Sequence, residues 1–291
     1  MYVLRKNPII LASAEAAADT LRRARQRLAD ATEGLVFEPG EHRYHFAGRE
    51  LRSVSSIVEH FAPFDEIATA KKCAANQKSQ YYGQSVEEIL NLWKLKRDNA
   101  ADAGTRLHAF GEACCSFLHD REDEIAPEYR ERINDEGLVA VEPKEEALAR
   151  WWAETDWDRF AVVAKETRVM NPGLRYAGTF DLLLYDRWNM GFAIKDYKSN
   201  EDLYKWYGDM LLPPLDQIKS NDVGKYTVQQ TLYAIALKNI EIGRLIAADL
   251  IWLKEDGYES VGFEFSERDP HELKYEKLIA FAVKQLINQT E

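Results

Sequence analysis

The spacing of apolar residues changes near residue 160. Before that point they recur at helical intervals, with charged residues between them. Residues 13–31, rich in Ala, Arg and Glu, predict an exposed amphipathic helix. Leu35–Glu38 and His42–Phe46 read as a hairpin, with Pro39-Gly40 and Ala47-Gly48 as turns. Ser56 with Glu59, and Ser85 with Glu88, have capping-box spacing. They predict a short helix ending near Phe61 and a longer one running to about Asn99. A further helix is expected over Gly104–Leu118, an acidic irregular excursion over Glu122–Pro143, and a helix over Glu145–Thr155. After residue 160, β-formers dominate Phe160–Val169, Tyr176–Tyr185 and Gly191–Lys198, which predicts an antiparallel meander. A polar stretch, 199–221, follows. The chain then reads as a helix from Val223 to about Asn239, strands over Ala247–Leu253 and Ser260–Phe265, and a closing helix over His271–Ile287. The fold class is α+β. Residues 1–100 form a mostly helical region with a hairpin, packed on a core spanning 101–291.

The composition is that of an ordinary globular protein, 46% hydrophobic and 30% charged. No apolar run is long enough to cross a bilayer, and the apolar patch Pro8–Ala12 leads into a charged helix rather than a cleavage site. These features predict a cytoplasmic protein with no membrane partner. The three cysteines, Cys73, Cys114 and Cys115, build neither a disulfide framework nor a four-cysteine metal site, and are expected to be reduced thiols. The net charge of −11 argues against a protein that coats DNA, because phosphate affinity comes from clustered Lys and Arg. It leaves room for an enzyme with acidic ligands at its centre and a local basic track.

Candidate chemistry centres on Gly178-Thr179-Phe180-Asp181 and Asp196-Tyr197-Lys198. Adjacent strands lie about 5 Å apart, so carboxylates at matched height on two of them can share a cation. Asp196 and Lys198, two positions apart on a strand, share a face, which sets an ammonium beside that cation. Hydrolysis of a phosphodiester needs an activated water and compensation for charge growing on the phosphoryl oxygens. Acid-x-Lys alone is a weak signal, since Glu142-Pro143-Lys144 and Glu272-Leu273-Lys274 also carry it. Only Asp196 lies on a strand that follows a second acidic strand. His108 and Glu112 are one helical turn apart, as are Gln229 and Tyr233. Glu166 is a third strand acid; the plainer reading makes it an exposed partner of Arg168 or Arg175.

The order of these features is a helix with His108, strands with Glu166, Asp181 and Asp196-x-Lys198, a helix with Gln229 and Tyr233, and a final strand. It resembles the RecB-type exonuclease branch of the PD-(D/E)XK nucleases over about Gly104–Leu253. The segment His42–Phe64 is similar to the leader of phage, prophage and mitochondrial genome maintenance members. The resemblance implies a restriction-endonuclease-like core, a central mixed sheet flanked by helices. It implies His108, Asp181, Asp196 and the Tyr197 carbonyl as metal ligands. Lys198 would stabilise the transition state or orient water. Gln229 would support Lys198 or contact substrate, Tyr233 would line the site, and Glu166 would be an accessory acid. The iron–sulfur members carry four cysteines, so no cluster is expected here.

Oxygen ligands with one imidazole suit Mg²⁺ or Mn²⁺. The implied activity is that of a DNA exonuclease in recombination, repair or phage DNA processing, acting on a free end. The basic residues Lys165, Arg168, Arg175, Lys195, Lys205, Lys219 and Lys225, with Tyr204, Trp206 and Tyr207, suggest a single-stranded track beneath a flap at 199–221. Three alternatives share some of these features: a structure-specific endonuclease, a catalytically idle nucleic-acid-binding module, and a hydrolase of other phosphoesters.

Overall fold

A computed structural model describes residues 1–40 and 43–289. Glu41 and His42, the latter expected to open the second hairpin strand, lie outside the described residues. In chain order the elements are β1 (Tyr2–Leu4), α1 (Pro8–Ala16), α2 (Ala18–Ala31), β2 (Val36–Glu38), β3 (Arg43–Phe46), β4 (Arg49–Ser53), α3 (Val54–Phe61), α4 (Glu66–Ala75), α5 (Val86–Leu118), α6 (Pro127–Arg130), β5 (Ile133–Asn134), β6 (Gly137–Ala140), α7 (Pro143–Glu154), β7 (Phe160–Asn171), β8 (Tyr176–Asp186), β9 (Gly191–Lys198), α8 (Asp222–Asn239), β10 (Leu245–Lys254), β11 (Gly257–Gly262) and α9 (Glu276–Asn288).

The fold is α+β, with a large mixed sheet flanked by helices. Among the described residues the sheet has the order β11-β10-β9-β8-β4-β3-β2, with β7 pairing β8. β7, β8 and β9 form the expected antiparallel meander. α8 is the crossover that returns the chain parallel to β9 as β10. A short parallel pairing, Arg52 to Tyr176 and Ser53 to Ala177, joins the β2–β4 hairpin strands to β8. α2, α3, α8 and α9 bury Leu21, Ile57, Leu232 and Val283 in one core with Ala161, Phe180, Leu183 and Ile194 of the sheet. No helix among the described residues is long and apolar enough to cross a membrane.

Several elements differ from the expectation, each for a local reason. The first helix starts earlier and breaks at Ala17: Asn7 accepts from Ile9 N (3.0 Å) and Pro8 takes the first helical position. The cap of α3 is Ser53, not Ser56. Ser53 Oγ accepts from Ser56 N at 3.0 Å, and the buried stripe Val54, Ile57, Phe61 starts directly behind it. The two helices expected on either side of residue 100 are one helix of 33 residues. A single glycine, Gly104, costs only about 1 kcal/mol, and Ala100, Ala101 and Ala103 precede it. The stretch Glu122–Pro143 is not irregular: it holds α6 and the β5–β6 hairpin, and β6 pairs with β1. Gly137 allows this, because a Cβ there would fall 2.1 Å from the Leu4 carbonyl oxygen. The last strand ends at Gly262 and the closing helix starts only at Glu276.

The chain divides into two compact units, residues 1–62 with 110–291, and residues 63–109. β2–β4 and α1–α3 belong to the larger unit, with the sheet. The smaller unit holds α4 and the start of α5. Trp93 there meets the rings of Phe64 and Tyr81, each at 5.9 Å, and Arg97 pairs with Glu66. The Ser85–Glu88 capping box forms: Glu88 accepts from Ser85 N and Oγ at 2.8 Å, and Ser85 Oγ accepts from Glu88 N at 3.2 Å.

Candidate functional site

β8 and β9 are paired from Asp186–Gly191 as far as Leu182–Lys195. Beyond that step they part. β8 continues along β7 toward Tyr176, while β9 continues along β10, with Asp196 beside Leu250 and Lys198 beside Trp252. Asp181 and Asp196 are the next residues on the two arms of this fork. Asp181 bridges it: its Oδ2 accepts the Tyr197 N–H at 2.6 Å, where a ladder bond would otherwise lie. The N–H and C=O of one extended residue point to the same edge, so the Tyr197 carbonyl also faces the fork.

The backbone is irregular on both sides of Asp181. Along β8, Tyr176 and Phe180 share a core cluster with Leu183, so the two-residue alternation slips between Phe180 and Leu183. On β7, Lys165 pairs with Leu182 and Thr167 with Phe180, which sets Glu166 opposite Asp181. Glu166 takes a left-handed conformation there, φ +42°. α5 is unbroken through His108, which is held at fixed helical offset from Gly111 and Glu112. Glu166 and Asp181 each offer a carboxylate oxygen as a ligand atom, and these atoms lie within 4.8 Å of one another. Asp181 is buried and Glu166 is half-buried.

Asp196 stands outside that grouping. Its buried carboxylate forms an ion pair with Lys198 Nζ. Burial works against the Lys198 charge, but Asp196 and then Asp181 more than offset it, so the lysine pKa is held above its usual value. Lys198 Nζ also lies 4.8 Å from the centroid of the Tyr226 ring. Gln229 Nε2 donates to Tyr233 Oη at 3.1 Å. Tyr233 is buried, and burial followed by the Asp196 charge pushes its pKa up, so it remains a neutral phenol.

Two glycines hold these parts together. A Cβ on Gly178 would lie 2.8 Å from the Tyr233 ring and from a Val54 methyl, so the first residue of Gly178-x-x-Asp181 is small because α3 and α8 close over it. A Cβ on Gly111 would lie 2.8 Å from the Tyr197 ring. Sequence reasoning passed over Gly111, Tyr226 and Asn200. Tyr226 Oη donates to Asn200 Oδ1 (2.9 Å), and Asn200 Nδ2 donates to Asp222 Oδ2 (2.7 Å). The available signal was spacing: Tyr226 lies one turn before Gln230 and Gly111 one turn after Leu107, but neither pattern is distinctive.

Glu112 does not join Glu166 and Asp181 in that grouping. The decoy acids have local roles: Glu142 is the N-cap of α7, and Glu272 pairs with Lys277. Lys195 pairs with Asp249, Lys165 with Glu124 and Lys225 with Asp222, while Arg168 stacks on Phe37. Tyr204, Trp206 and Tyr207 are exposed, with Lys219 over the Trp206 ring and Lys205 over Tyr207. No protein-family model matches the chain, and no curated protein matches it in sequence.

Proposed function

We propose that the chain is a divalent-metal-dependent deoxyribonuclease with a PD-(D/E)XK-type centre on a restriction-endonuclease-like core, working as an exonuclease of the RecB-type branch. The fork carries the reading: it sets two carboxylates within reach of one another, next to a buried lysine on the adjoining strand. The donor set fits a hard cation. Opposite ligands of octahedral Mg²⁺ are separated by about 4 Å, twice a ~2.1 Å bond, close to the 4.8 Å limit found here. His108, Glu166 and Asp181 would hold it, with the Tyr197 carbonyl and Asp196 bordering the same space. The imidazole leaves Mn²⁺ as well suited as Mg²⁺. When bound, such a cation lowers the pKa of water and offsets charge on phosphoryl oxygens.

The chain's own residues do the remainder. Lys198 keeps its proton, so it serves as a fixed positive charge toward the phosphate and not as a base. Asp196 holds that ammonium in place. Gln229 and Tyr233, bonded to each other, wall the α8 side, and Tyr233 donates or accepts only as a neutral phenol. The net charge of −11 favours a substrate held locally over one coated along its length. A free DNA end in recombination, repair or phage DNA processing suits that economy, with a single strand at the exposed aromatics of 204–207.

The test is cleavage of end-labelled linear DNA, single-stranded and duplex, with Mg²⁺, Mn²⁺ or EDTA. Cleavage should require the metal and fall about 100-fold or more in Asp181→Asn and Lys198→Met. A circular single strand should survive. Its cutting would indicate an endonuclease with the same centre. Wild-type protein that cuts no DNA under any metal, or variants that cut at the wild-type rate, would end the reading.

A further inference from the structure

The chemistry above leaves unused a cavity of about 70 Å³ where β7 meets the end of α5. Its wall brings together Arg25 of α2, Ser116 and His119 at the end of α5, Arg121 and Glu124 just beyond, and Lys165 of β7. Three cations face one carboxylate, a local excess of two positive charges in a chain whose total is −11. Arg25 and Lys165 are held in place. Arg25 Nε and Nη2 donate to the Val163 and Val162 carbonyls at 2.8 and 3.0 Å, fixing the guanidinium at the β7 register shift. Lys165 Nζ donates to Ser116 Oγ and lies 3.5 Å from Glu124, which is also 3.6 Å from Arg121. One carboxylate is thus shared between two of the three cations.

The histidine adds a second, independent feature. His119 Nδ1 is 2.7 Å from the Cys115 carbonyl oxygen, a partner that only accepts, so Nδ1 carries the proton. Nε2 is then a lone-pair acceptor. It is buried and has no hydrogen-bond partner among the described residues. Burial lowers the His119 pKa, and Arg121, Arg25 and Lys165 lower it further, so the ring is neutral. A cavity with fixed cationic donors and one neutral acceptor matches an anion with several acceptor oxygens and a single hydroxyl.

We infer that this cavity binds inorganic phosphate as the monohydrogen dianion, with the cations on its oxygens and the P–OH donated to His119 Nε2. The cavity has room for a small tetrahedral ion. A phosphodiester, and a terminal phosphate monoester in its dianionic form at pH 7.5, carry no P–OH. The ligand is therefore the free ion, and sulfate, which has no hydroxyl, is the discriminating analogue. The inference does not depend on the nuclease reading.

Calorimetric titration of the full chain at pH 7.5, in EDTA and at constant ionic strength, tests it with inorganic phosphate and sulfate. Phosphate should bind about tenfold or more tightly than sulfate, the scale of one charge-assisted hydrogen bond. Lys165→Met should weaken both ions. His119→Phe should bring phosphate down to the sulfate level while leaving sulfate unchanged, a pattern that loss of folding does not give. Circular dichroism checks each variant, and Arg121→Ala, at the half-exposed mouth, is the milder substitution if Lys165→Met unfolds. An oligonucleotide with a 5′-phosphate should bind no better than its 5′-hydroxyl form, and a Lys165-dependent preference for the 5′-phosphate would overturn the assignment to the free ion. Phosphate and sulfate binding alike, or affinities unmoved by the variants, overturns the inference.

Discussion

Glu166 holds a left-handed backbone in the middle of a strand, at φ +42°, facing Asp181 across the β7–β8 ladder. For a residue with a Cβ this costs about 1–2 kcal/mol, and such strain persists where neighbouring structure enforces it. Lys165 and Thr167, both in register, are the enforcing neighbours. Glycine takes the same torsion without strain but loses more entropy on folding. Glu166→Gly should therefore leave unfolding stability equal or higher by up to ~1 kcal/mol, measured by urea titration, while metal-dependent cleavage falls about 100-fold. A loss of stability beyond 1 kcal/mol would show that the torsion carries no strain. The acids, the lysine and their order were legible because strand spacing and motif are local properties. The torsion of Glu166 was not, because it depends on how β7 pairs with β8. Gly178 was visible as a letter, but its reason, a tyrosine from α8 lying 2.8 Å from where a Cβ would be, comes from packing.

At the scale of elements, the readings that succeeded rested on several agreeing signals. Ser85 with Glu88 formed its capping box, and the β7–β9 meander followed from β-branched and aromatic runs bounded by turn residues. Those that missed rested on one. Ser56 had the right spacing to Glu59, but Ser53 was the serine that stood directly before the buried stripe. Two helices were expected, one to about Asn99 and one from Gly104, yet α5 passes through Gly104 without interruption. A Cβ there would meet nothing within 4 Å. Gly104→Ala should therefore raise stability by about 0.5–1 kcal/mol, from the helix preference alone. Denaturation followed by the far-ultraviolet helix signal is the check. An unchanged or lower midpoint would mean that this part of α5 gains nothing from better helix propensity.

At the scale of the molecule, the sheet's composition could be read but its closure could not. The helix between β9 and β10 implies a parallel return, whereas the docking of β4 on β8 rests on two residue pairs far apart in sequence. Charge is the other whole-molecule property. In a chain of net charge −11, two carboxylates within a few ångströms repel unless a cation lies between them. That repulsion belongs to the folded state, where Glu166 and Asp181 are opposed, and is relieved on unfolding. A divalent ion that binds only the folded chain should stabilise it by RT ln(1 + [M]/Kd), about 2.7 kcal/mol at 100 times Kd. Scanning calorimetry with Mn²⁺ or Mg²⁺ should then show a midpoint several degrees higher than in EDTA, because 1 kcal/mol shifts a domain of this size by about 2–4 °C. Asp181→Asn should act in two opposed ways. It removes one repelling charge, which favours the metal-free protein, and it removes a ligand, which should erase the metal-dependent rise. A variant that kept the full rise would show that the stabilising ion sits elsewhere in the acidic chain, and the fork would then lose its claim to the metal.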